Sequence, residues 1–334
     1  MKKALTLYGI AIVAYGALFL ALAIVEEVLM RGIWMPFDIA SYYGLASSAV
    51  PKIYAVLGDG APSSLLLFDT GALSGYRVFI VGIICLACAL LTMEMGRRSY
   101  GSVAGFLAGL LFTLNMALVQ GHLTIGDSLA LLFALLSAFS LGWSGKYALS
   151  GFLTGLAACF KPLMLLLLPV TIAIMYRKGE MKTAFALIVA AALPLLAVAA
   201  TAFALYGNST LAMAADSGFE AVGFLTDEGY RPPDPLMAVA GIALSACMLT
   251  SMFPLALLGF SRSHGLLEEY CLAVGLCFIL AIPLKQYLQY WFIALPFLAL
   301  LCAGAFKAPE KASMETYTAE KQALSSLAPV IRDR

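Results

Sequence analysis

Four stretches of this chain set ionisable side chains among aromatic and aliphatic ones, where charge could do chemistry. In Phe37-Asp38-Ile39-Ala40-Ser41-Tyr42-Tyr43 a carboxylate sits among rings and aliphatics. Partial loss of water makes such a group a better proton acceptor, as a general base requires. Its plain structural alternative is a loop carboxylate that caps the Ser41-Tyr42-Tyr43 stretch. In His122-Leu123-Thr124-Ile125-Gly126-Asp127-Ser128, Asp127 opens an apolar run. Helix capping would explain it, and a role at a site would too. His122 is either an interfacial hydrogen-bonding residue or part of the same site. Lys161, in Cys159-Phe160-Lys161-Pro162, is a lone cation between two short apolar runs. It can snorkel to a membrane interface, or hold a phosphate at the start of the helix that Pro162 initiates. Lys285-Gln286-Tyr287-Leu288-Gln289-Tyr290-Trp291 has the look of an aromatic belt with a snorkelling Lys.

These groups need elements to hold them, and the composition says which kind. The chain has 334 residues, 62% hydrophobic and 12% charged. Soluble domains average roughly 45–50% apolar and about 25% charged. A water-soluble globule is therefore excluded, as are a disordered chain and a collagen-like repeat. The net charge of +1 removes the basic surplus that a nucleic-acid binder needs. What fits is an all-α polytopic membrane protein of about ten transmembrane helices, since one span takes about 20 residues.

The expected spans are 4–25, 76–94, 102–120, 127–144, 147–160, 162–176, 183–205, 236–260, 266–284 and 286–306. The first is long for a signal-peptide core and follows Lys2 and Lys3, so it is expected to be a retained span. The spans form one transmembrane domain over 1–306, followed by a polar tail, 307–334. Residues 26–75 are too polar to span and too apolar for a linker, which suits short interfacial helices. Gly101-xxx-Gly105-xxx-Gly109 and Gly151-xxx-Gly155 mark faces where helix backbones can approach closely. The seven cysteines fall within apolar runs and read as small hydrophobes, with no disulfide framework.

With the N-terminus inside, fourteen of the 20 Lys and Arg lie in cytoplasmic segments. The positive-inside rule then puts both termini in the cytoplasm and loops 26–75 and 206–235 outside. Asp38, Asp127, Arg231, Lys161 and Lys285 all belong to the outer side, so chemistry is expected there. A plasma membrane is the expected location.

The order of these motifs resembles the GT-C superfamily of integral-membrane glycosyltransferases, in particular its protein-mannosyltransferase and aminoarabinose-transferase-like branch. The family's first loop carries Phe-Asp-Glu-x-x-Tyr; here Phe37-Asp38 is followed by Ile39 in place of the Glu. Its second outer turn carries Arg/His-x-x-x-x-Asp, which His122 and Asp127 match. The Lys161-Pro162 hairpin looks like its Leu-Thr-Lys-Pro/Gly. The likeness covers roughly residues 1–300.

The resemblance implies transfer of a sugar from a polyprenyl-phosphate donor to a lipid, glycan or protein hydroxyl on the outer face, with inversion. Asp38 would be the base and Asp127 would orient hydroxyls, with His122 beside it. Lys161 would stabilise the departing phosphate, helped by Lys285 or Arg231, with Tyr287 alongside. No cofactor follows from the sequence; a divalent metal is compatible with the chemistry, but nothing indicates one. The rival class is a transporter or flippase for a lipid-linked or amphipathic substrate, using the same outer carboxylates for recognition. Such proteins usually show internal repeats, and the two halves show no self-similarity.

Overall fold

Short polar breaks separate the apolar runs, and where residues are described these runs are helical. The computed structural model describes residues 2–25, 77–116, 125–177, 179–206, 252–262, 265–285 and 291–307. They contain ten α-helices and no strand. In chain order these are α1 (Lys2–Val25), α2 (Arg77–Tyr100), α3 (Ser102–Met116), α4 (Ile125–Phe139) and α5 (Tyr147–Phe160). Then come α6 (Leu167–Arg177), α7 (Met181–Tyr206), α8 (Met252–Arg262), α9 (Leu266–Lys285) and α10 (Trp291–Gly304).

The breaks have local causes. Gly101 ends α2 at φ +100°, a left-handed conformation that suits glycine. It is thus a hinge between α2 and α3 and not a rung of the glycine ladder. A π-turn, Ser140–Ser144, finishes α4, and Gly145 at φ +57° closes it. Between α5 and α6, Lys161 is extended and Pro162 opens a 3-10 turn, Pro162–Leu166. Proline suits that first position because its missing N–H has no helical acceptor there.

α10 is the centre. Phe292, Ile293, Ala294, Leu295 and every residue from Phe297 to Ala303 are buried, so it is apolar all round and covered all round. It packs on α2, α3, α4 and α9. The outer helices are apolar on their exposed faces too: Phe79 and Ile83 on α2, and Phe185, Leu193 and Leu196 on α7. Water disfavours such continuous apolar faces, and lipid suits them. Two helices, Phe79–Tyr100 and Met181–Val198, are by length and composition able to cross a membrane. The all-helical fold is compatible with a helical membrane protein.

Backbone closeness holds neighbouring helices. A Cβ on Gly151 would overlap the Leu187 carbonyl, and one on Gly155 would overlap Ala191 O and Pro194 Cγ, so α5 lies directly on α7. Across α4 and α5, Ser137 Oγ shares hydrogen bonds with Ser150 Oγ at 2.8 Å and Thr154 Oγ1 at 2.9 Å. Gly155→Ala is expected to destabilise the fold by about 1–3 kcal/mol, the usual cost of overpacking. Gly82→Ala, where nothing lies within 4 Å, is the control and leaves the midpoint unchanged or slightly higher. Equal unfolding midpoints in detergent for the two variants would contradict the tight α5–α7 approach.

Candidate functional site

Antiparallel succession sorts the polar side chains to the two ends of the bundle. α4 runs away from Asp127 and α5 returns to Lys161; Phe133 of α4 stacks on Phe160 of α5, centroids 5.8 Å apart. The return brings two residues 34 positions apart together: Lys161 Nζ donates to Asp127 Oδ1 at 2.5 Å. Their side chains are only 15% and 11% exposed. Phe292, at the start of α10, lies beneath with its ring centroid 5.1 Å from the Lys161 ammonium, a cation–π contact.

The local sequence explains each position. Lys161 is the residue at which α5 stops: its N–H closes the last turn on Ala157 O at 2.9 Å. Pro162 then prevents the helix from continuing and keeps Lys161 extended, φ −144°. Asp127 lies two residues inside α4, in the first turn, and does not precede the helix as a cap would. A carboxylate there is favoured by the helix dipole, and here it also meets the ammonium. With the pair largely shielded from water, its charge acts on neighbours more strongly than an exposed charge would.

The opposite end carries a second cluster. Glu94 of α2 accepts Arg97 Nε at 2.6 Å and Arg97 Nη2 at 2.7 Å, Arg98 Nε at 2.6 Å, and the hydroxyl of Tyr8 from α1. Arg98 also sits 4.9 Å from the Phe139 ring centroid, at the end of α4. The Glu94/Arg97/Arg98 spacing is the i, i+3, i+4 pattern of paired helix charges, so sequence could have revealed it. Tyr8 could not have been found that way. At the same end Tyr147 donates to Glu180, and Arg262 donates to the Ala305 carbonyl. These contacts join helix ends to one another.

Of the residues singled out from sequence, the structure brings Asp127 and Lys161 together. Lys285 is described only as the last residue of α9, whose direction carries it toward the Lys161 end. Asp38, His122, Arg231 and Tyr287 lie outside the described residues. So do segment 26–75, expected at the interface, and the tail beyond 307. Among the described residues, no three His, Cys, Asp or Glu side chains lie close enough to share a metal ion. Comparison with protein-family models, curated proteins and solved structures found no match to this chain.

Proposed function

We propose that the chain is a membrane glycosyltransferase of the GT-C type, moving a sugar from a polyprenyl-phosphate carrier to an acceptor hydroxyl with inversion. The observation that supports this best is the Lys161–Asp127 pair, shielded at one end of the bundle above Phe292. Transfer from a lipid phosphate leaves negative charge on the departing oxygens. A preorganised cation in a poorly hydrated site stabilises that charge more than it stabilises the bound donor. Lys161 supplies the cation, and Asp127 fixes its position and would orient sugar or acceptor hydroxyls. Asp38 is assigned the acceptor proton on the strength of its motif. His122, Lys285, Tyr287 and Arg231 are assigned to the donor site on the strength of the same resemblance.

The site then faces the outside of the plasma membrane, with both termini in the cytoplasm. Cysteines introduced at Ser63 and Ser217 are expected to react with an impermeant thiol reagent in intact cells, and one at Ser313 to be protected. Labelling at Ser313 alone would invert the orientation. The activity itself is tested with membranes containing the chain and radiolabelled polyprenyl-phosphate sugars. Label should pass to an acceptor fraction, and membranes lacking the chain should show no such transfer. A chain that transfers none of the sugars offered, though folded, would refute the assignment.

A further inference from the structure

From the turn that follows Lys161 to the opposite end of the bundle, α6 and α9 leave an open lateral groove between them, with a volume of about 390 Å³. Its walls are apolar from Leu166 and Ala173 on one side to Ala273 and Cys277 on the other. At one mouth stand two opposite charges, Arg177 and Glu269, 3.8 Å apart and with side chains 71% and 29% exposed. That is longer than the roughly 2.7–2.9 Å of a close charge-assisted hydrogen bond. Glu180, three residues beyond Arg177, is engaged with Tyr147. From Leu166 to Arg177 the groove runs about 16 Å at the helical rise. A bilayer's hydrocarbon core is about 30 Å thick, so the groove has the depth of one leaflet.

We infer that this groove binds one phospholipid whose headgroup carries both a phosphate and a primary ammonium, as in phosphatidylethanolamine. One acyl chain lies along α6 and α9. The phosphate meets the Arg177 guanidinium, whose planar fork matches its oxygens, and the ammonium donates to Glu269. The two charges of the mouth complement the two charges of the headgroup, in sign and in adjacency. Phosphatidylcholine has the same charges but no N–H to give Glu269, and phosphatidylglycerol has no cation. The inference rests on the chain lying in a bilayer, and is independent of sugar transfer.

The test is native mass spectrometry of the purified full chain with equimolar phosphatidylethanolamine, phosphatidylcholine and phosphatidylglycerol of identical acyl chains. Wild type is expected to retain the ethanolamine lipid about two- to fivefold over the choline lipid, the yield of one exposed charge-assisted contact. Glu269→Gln should shift the preference to phosphatidylglycerol. Arg177→Gln should remove retention of phosphatidylglycerol and weaken that of phosphatidylethanolamine. Ala173→Phe should block the groove and remove the adduct altogether. Both headgroup substitutions are at accessible positions, so they decide the matter even if Ala173→Phe folds poorly. Equal retention of the three lipids by wild type would overturn the inference. So would a wild-type preference for phosphatidylglycerol, or displacement of the adduct by inorganic phosphate alone. A groove-dependent dimer with no bound lipid would assign this face to a second copy of the chain. Loss of sugar transfer with lipid retention intact would refute only the proposed function, and the reverse result only this site.

Discussion

Lys161→Gln is expected to lower sugar transfer by about 10²-fold or more, the scale of one charged transition-state contact. The structure adds a second effect. Removing the ammonium leaves a carboxylate that is only 11% exposed without its cation. Breaking such a pair costs more than the roughly 0.2–1 kcal/mol of an exposed one and less than the about 3–5 kcal/mol of a fully buried one. A loss of about 1–3 kcal/mol in unfolding free energy should therefore accompany the loss of activity. The double variant Lys161→Gln/Asp127→Asn separates the two effects. It removes both charges, so stability should largely return while activity should not. Lys161→Arg keeps the charge in another geometry and should keep part of the turnover. The measurement is turnover per folded molecule, with unfolding followed in parallel. Recovery of turnover in the double variant would show that Lys161 serves only to balance Asp127.

Asp38→Asn is expected to reduce turnover by about 10²–10⁴-fold, the usual contribution of a general base, with donor binding retained. The amide keeps the size and polarity of the carboxylate and loses its ability to take a proton. A base defect is therefore seen in kcat and leaves KM for the donor nearly unchanged. A rise in KM with kcat intact would move Asp38 from proton transfer to substrate binding. Near-normal turnover would make it a loop carboxylate.

Where an apolar run is bounded by strong local signals, sequence and structure coincide. Tyr147–Phe160 has the bounds expected from Gly145-Lys146 before it and Lys161-Pro162 after it. The run 162–176 was expected as one span. The structure divides it into a 3-10 turn and an α-helix, because Pro162 governs the first turn while the apolar pattern is the same on both sides. The glycine spacing of α5 identified a close backbone approach, but only the structure shows that α7 is the neighbour. The same limit applies to the site. Lys161 and Asp127 both stand out in the sequence as charges at run ends, where each suggests a task of its own. Their pairing depends on how α4 and α5 lie against each other, a relation that periodicity within one helix does not encode. Phe292, 131 positions further on, had no signal to set it apart from other aromatic residues in an apolar run.

The helix at the centre is also the last of the ten to leave the ribosome. Tyr100 and Trp291 are 191 positions apart, which at about 5–20 residues per second is roughly 10–40 s of synthesis. For that interval the earlier helices have the inward faces of α2, α3 and α4 but nothing to fill the space that α10 will occupy. Until then the earlier helices hold one another by pairwise contacts such as α5 on α7 and Tyr8 on Glu94, and lipid is available to cover the unfilled side. Assembly thus ends with the burial of α10, and an exposed inward face of α2, α3 or α4 marks a chain that has not finished folding.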